Sequence, residues 1–158
     1  MKLSMTYSVK TKRLNHIFMD TVRLYRQAVS FFMDVCLQEW DTVSSGKGQK
    51  ERVNLVESFT VASKKNPSAL YDFGADFYKF PSYLRRAAIA EALGKVSSYR
   101  SNLARWEAAD PASRGEKPGL PQAGTVYPAM YRENMFLRTG TYQAALKVFI
   151  RNTWDWIL

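Results

Sequence analysis

Two residue types that carry much of protein chemistry are almost missing from this chain. A single cysteine, Cys36, rules out an internal disulfide and any cysteine-rich metal site. A single histidine, His16, leaves no second imidazole for a ligand pair. No run of about eighteen apolar residues exists, so no membrane-spanning helix is expected. Met1-Lys2-Leu3-Ser4 has no signal-peptide core, and the expected compartment is the cytoplasm. Acidic residues are also few, 14 against 23 Lys and Arg, which leaves a net charge of +9. That imbalance favours a polyanionic partner, of which nucleic acid is the commonest. The excess is concentrated before residue 110, and 46% hydrophobic content over 158 residues suffices for one domain or two small subdomains.

Helix-permissive sequence stops at the loop Asp110 to Gly124, centred on Lys117-Pro118-Gly119-Leu120-Pro121. Proline lacks a backbone donor and clashes with a preceding helical turn, so neither a helix nor a central strand crosses this segment. Before it, apolar residues recur at helical spacing; after it, they alternate as in strands.

Leu3, Met5, Tyr7 and Val9 alternate with polar residues and predict an opening strand. Thr11 is then a plausible N-cap, and Lys12 to about Trp40 predicts a long helix. Leu14, Ile17, Phe18, Tyr25, Ala28, Val29, Phe32, Val35 and Cys36 share its apolar face, with Lys12, His16, Arg23, Arg26 and Ser30 opposite. His16 reads as a polar surface residue of that ridge. Asp41 to Lys50 predicts a polar turn. Val53, Val56, Phe59 and Thr60 predict a shorter helix, stopped by Lys64-Lys65-Asn66-Pro67. The aromatics Tyr71, Phe73, Phe77, Tyr78 and Phe80 read chiefly as the cap of a core, with base stacking as the rival reading. Ser82 is the expected N-cap of a second long helix to about Ala109. Its stripe Leu84, Ala88, Ala92, Val96, Tyr99, Leu103 and Trp106 should pack on the first helix. Arg85, Arg86 and Arg100 flank that stripe.

Beyond the loop, Asn134–Arg138, Tyr142–Ile150 and Trp154–Leu158 predict a meander of about three strands, with turns at Thr139-Gly140 and Asn152-Thr153. The opening strand is expected to complete its sheet. The fold class is therefore α+β: a small antiparallel sheet or barrel, with a bundle of two long helices inserted after the first strand. Residues 1–11 and 123–158 form the expected β subdomain, 12–109 the helical one and 110–122 the junction. The apolar finish Trp156-Ile157-Leu158 suggests a piece of something longer, or a last strand covered by a partner.

Strand, inserted basic helices, proline–glycine junction and strands: this order resembles the N-terminal part of the TnpB-like proteins. These are transposon-encoded RNA-guided nucleases of the transposase OrfB family, relatives of the type V CRISPR effectors. Arg26-Gln-Ala-Val-Ser30 falls where that family commonly has Arg-x-x-Tyr-Asn. Arg85 to Trp106 looks like its long second recognition helix. Lys117-Pro-Gly-Leu-Pro-Gln122 falls where many members have a basic residue followed by Gly-Phe-Pro-x-Phe-Lys. Val29, Ser30 and Leu120 depart from those patterns.

The resemblance implies a wedge-like β part and a recognition-like helical part that together hold DNA and structured, guide-type RNA. The family's RuvC-type nuclease carboxylates and zinc ribbon have no counterpart here, so this chain alone is expected not to be an enzyme and to need no cofactor or metal. The missing nuclease portion, or a partner strand over the C-terminus, would be a protein partner; no membrane is implied. Expected nucleic-acid contacts are Lys12, Arg23 and Arg26 on the first helix, Arg85, Arg86 and Arg100 on the second, and Lys117 at the junction. Tyr131 and Arg132 are candidates for reading a flanking motif. Each cation would chiefly meet phosphate. A stand-alone DNA- or RNA-binding accessory or repressor protein, and a helical protein-interaction module, are the alternatives.

Overall fold

The structure, a computed structural model, describes residues 16–64, 66–130, 133–141 and 143–157. The expected strand Leu3–Val9, the cap Thr11 and the start of the first helix at Lys12 lie outside these residues. Helix α1 spans His16–Gln38. Thr21, Val22, Tyr25, Ala28, Val29, Phe32, Met33, Val35 and Cys36 recur at steps of one to three, and all are buried. Such a broad stripe needs apolar cover on more than one side. The helix yields at Glu39, whose backbone (φ −100, ψ 20) leaves the helical region.

The expected polar turn after α1 contains a short helix, α2 (Trp40–Ser44), which buries Val43. Arg52 accounts for this difference. Its Nε–H donates to Gly46 O at 3.0 Å and its Nη2 to Ser44 O at 3.3 Å, satisfying carbonyls at the end of the short helix. A Cβ at Gly46 would lie 2.9 Å from Arg52 Cγ, so glycine is required for that approach. Helix α3 (Gln49–Thr60) stops before Lys64–Pro67, where the sequence placed the break. Thr60 Oγ1 donates back to Val56 O at 2.8 Å, and Val61 is already extended.

Helix α4 is a single turn, Phe73–Asp76, capped by the Asp72 side chain. Around it Phe73 stacks on Phe32 (4.7 Å between centroids) and on Phe77 (4.5 Å), and meets Phe31 and Phe80 edge-on. The aromatic segment is thus a plug in the core, with Tyr78 left outside. Helix α5 (Ser82–Ala108) begins one residue earlier than expected of a Ser82 cap: Pro81 is the cap, and its carbonyl accepts the Arg85 amide. α5 packs along α1 and α3. Leu84, Ala88, Ile89, Ala92, Leu93 and Val96 are buried, whereas Tyr99, Leu103 and Trp106 are half-buried as the helix leaves the core.

Among the described residues no helix or strand occurs between α5 and β1, as the prolines and glycines require. Strands β1 (Phe136–Arg138), β2 (Ala144–Ile150) and β3 (Thr153–Ile157) form an antiparallel sheet in the order β1-β2-β3. Among the described residues the sheet is open, not a closed barrel. The β2–β3 turn is Arg151-Asn152, one residue before the expected position. Both residues have positive φ (48 and 62), the backbone that matches the twist of a two-residue hairpin.

Two contacts seat the sheet on the helices. Trp154 meets Phe80 edge-on at 5.2 Å between centroids. The Lys147 amide donates to Met135 O beside β1, but two residues later β1 has run out, and Thr21 Oγ1 of α1 accepts the Phe149 amide at 2.9 Å. Val126 and Met135 join the buried cluster of α1, α3 and α5.

Candidate nucleic-acid interface

Among the described residues the expected cations separate into those tied to the fold and one left in solvent. Arg85 and Arg86 both pair with Glu57 of α3: Arg85 Nη2 lies 2.9 Å from Oε1, and Arg86 Nη1 contacts Oε2. Arg86 Nη2 also donates to Asn54 Oδ1 at 3.0 Å. One half-buried carboxylate between two guanidinium groups ties α3 to α5, so these arginines are not free flankers of the stripe. Arg100 Nη2 donates to Leu37 O at 3.1 Å. α1 has no basic residue in its own last turn, and Arg100 supplies from α5 the cation that its C-terminal carbonyls favour. Lys117 lies over the Trp106 ring, 5.9 Å from its centroid, with Arg114 at 4.4 Å. Trp106 Nε1 donates to Gly115 O at 2.7 Å, which folds this part of the junction against α5.

Arg26 was expected beside Arg23 on an exposed ridge. It is instead half-buried: its Nε–H donates to Val126 O at 2.9 Å, and its guanidinium lies over the Tyr127 ring. The connection after the proline loop covers this side of α1, a long-range contact that the helical period of α1 alone does not contain. Arg23 does lie in solvent. Its side chain is 73% exposed and bonds Asp20 one turn back at 2.7 Å, an exposed pair of little strength that an incoming phosphate can replace. Lys12, Tyr131 and Arg132 lie outside the described residues.

What surrounds Arg23 is more informative than the residue alone. Asp20, Arg23, Leu24 and Gln27 of α1 form one wall of a cleft whose other wall is Phe149, Arg151 and Asn152 at the hairpin tip. Arg151, exposed and held in left-handed backbone, thus faces the same space as Arg23 from 128 residues away in sequence. A second cleft on the other side of Arg23 is lined by Met19, Val22, Arg26, Gln27 and Ala123. Sequence reading missed Arg151 as a site residue. Its signal was present, since Arg151-Asn152 falls between two alternating apolar runs, but only the fold brings that tip to α1.

Among the described residues two groups have raised pKa values. Burial pushes the Cys36 thiol up to about 12. The hydrogen bond from Tyr71 to Glu39 (2.8 Å), helped by desolvation and the carboxylate charge, raises the phenol. Neither is at the clefts. Among the described residues no group of three or more His, Cys, Asp or Glu is placed to hold a metal ion, and no helix is long and apolar enough to cross a membrane.

Residues 4–150 match the model of the Aq_aa04 family. The chain belongs to that family. A relative from Aquifex aeolicus (strain VF5), the uncharacterized protein aq_aa04, is 30% identical over 121 residues, covering 70% of this chain and 68% of the relative. No solved structure matches the chain. The Aq_aa04 match covers all five described helices and the strands β1 and β2.

Proposed function

We propose that this Aq_aa04 chain binds nucleic acid by its phosphate backbone, with Arg23 and Arg151 as the principal contacts. One observation carries the reading: two exposed arginines, on α1 and on the hairpin tip, face a single cleft in a chain of net charge +9. Gln27 and Asn152 add neutral donors on the same walls. Phosphate contacts of this kind fix position along the strand without reading sequence. The order of elements supports a role like that of the N-terminal wedge and recognition parts of TnpB-like RNA-guided nucleases, with DNA and guide-type RNA as partners. A stand-alone accessory or repressor protein would use the same residues.

Binding of a labelled oligonucleotide, measured across a salt series, tests the reading. Affinity falls as salt rises, and the double variant Arg23→Gln/Arg151→Gln reduces the slope of log K against log salt by roughly two units while thermal unfolding stays unchanged. No binding at any salt, or an unchanged slope in the double variant, overturns it.

A further inference from the structure

Tyr127 is an exposed ring between two anchored neighbours. On one side Val126 is buried, and its carbonyl is held by Arg26 Nε–H at 2.9 Å. On the other, Pro128 is half-buried and biases Tyr127 toward extended backbone. Between these anchors Tyr127 is 71% exposed. The Arg26 guanidinium lies over it, 5.0 Å from the ring centroid, so a cation backs one face while the rest of the ring meets solvent. Arg26 also lines the cleft it shares with Arg23 and the apolar Met19, Val22 and Ala123, and Met19 too is exposed. An exposed tyrosine alone is ordinary surface. An exposed ring, backed by a cation and set beside an apolar cleft with a solvent-exposed arginine at its rim, has the parts of a stacking subsite.

We infer that Tyr127 is a stacking platform for an unpaired base whose phosphate is held by Arg23, which makes single-stranded nucleic acid the preferred partner. Bases within a duplex are stacked on one another and offer the ring no face; those of a single strand, loop or frayed end do. Stacking is tolerant of sequence, in keeping with phosphate contacts that carry none. This inference rests on the nucleic-acid reading above.

The test compares labelled oligo(dT), oligo(rU) and a DNA duplex of equal length on the full chain at one salt concentration. The single strands bind more tightly than the duplex. Tyr127→Ala weakens single-strand binding roughly five- to 140-fold, the range expected for one stacked base. Tyr127→Phe retains it, because the ring and not the hydroxyl does the stacking. Duplex affinity is the same in all three proteins, and so is the thermal midpoint. A loss with either single strand supports the platform, and the sugar that shows it identifies the source. Unchanged single-strand affinity in Tyr127→Ala, or a duplex that binds as tightly and loses as much, overturns the platform and leaves the phosphate reading standing. Failure of all three probes to bind overturns both.

Discussion

Thr21 Oγ1 accepts the amide hydrogen of Phe149, 2.9 Å away and 128 residues later in the chain. Thr21 is buried on a helix whose neighbours are apolar, and Phe149 lies where β2 has outrun β1. The hydroxyl therefore takes the position that a further residue of β1 would otherwise occupy, and joins helix to sheet by a polar bond. This joint sets the hairpin tip opposite Arg23.

Removing the acceptor while keeping the shape isolates its contribution. Thr21→Val leaves the Phe149 amide without that acceptor, and stability falls by about 1–3 kcal/mol. Thr21→Ser, which keeps the hydroxyl, loses less. Urea unfolding of the three proteins checks this, with hydrogen exchange at Phe149 as a local report. Equal stability of the valine variant would mean the amide finds another acceptor.

The aromatic plug makes a larger and simpler prediction. Phe73→Ala deletes a buried ring that stacks on two others and costs about 3–5 kcal/mol. Tyr78→Ala, five residues later and 72% exposed, leaves the denaturation midpoint close to the parent value. If Tyr78 proved the more damaging site, the assignment of this segment to the core would be reversed.

Arginines of the two groups should respond in opposite ways. Arg85→Gln weakens the clamp on Glu57 and lowers the thermal midpoint, yet leaves the salt slope of oligonucleotide binding as it was. Arg23→Gln leaves the midpoint in place and removes roughly one unit from that slope. Measuring both quantities on both variants separates a fold-holding cation from a phosphate-holding one. A slope change in Arg85→Gln equal to that in Arg23→Gln would return Arg85 to the interface.

Alkaline pH should weaken the fold through Cys36 and Tyr71. Both protonate more strongly when folded, so their contribution is complete below the unfolded pKa values and is lost as pH rises through the folded ones. For Cys36 the window runs from 9.0 toward about 12; for Tyr71 it starts at 10.0. Stability in a pH series falls above about 9, and Cys36→Ala flattens the first part of the fall. A thiol reagent added at pH 8 labels Cys36 only as fast as the chain unfolds, because the sulfur is fully buried. Rapid labelling of the folded protein would contradict that burial.

Periodicity carried the elements well. The apolar stripes of α1 and α5, the aromatic plug and the three-strand meander all follow from residue spacing, a local property of the chain. The proline–glycine stretch marked the end of the helices for an equally local reason. Partners of charged groups are another matter. Nothing in the spacing of Arg85 and Arg86 points to Glu57, and Arg26 reads as solvent-facing until Val126 is known to pass over it. Arg151 was legible as a strand-end residue, but its approach to Arg23 depends on Thr21 and Phe149 meeting. The short helix α2 went unread because the side chain that closes its end, Arg52, comes from the next helix.

The two-residue hairpin tip also limits how this chain can change in length. Phe149 opposes Trp154 and Ile150 opposes Thr153 across Arg151-Asn152. One residue inserted there would reverse the alternation of β3, turning Trp154 away from Phe80 and Asp155 toward it. The segment 111–122 has no such register to keep, and added length there costs little closure entropy. Insertions and deletions are thus expected to be tolerated in that connection and not at the tip.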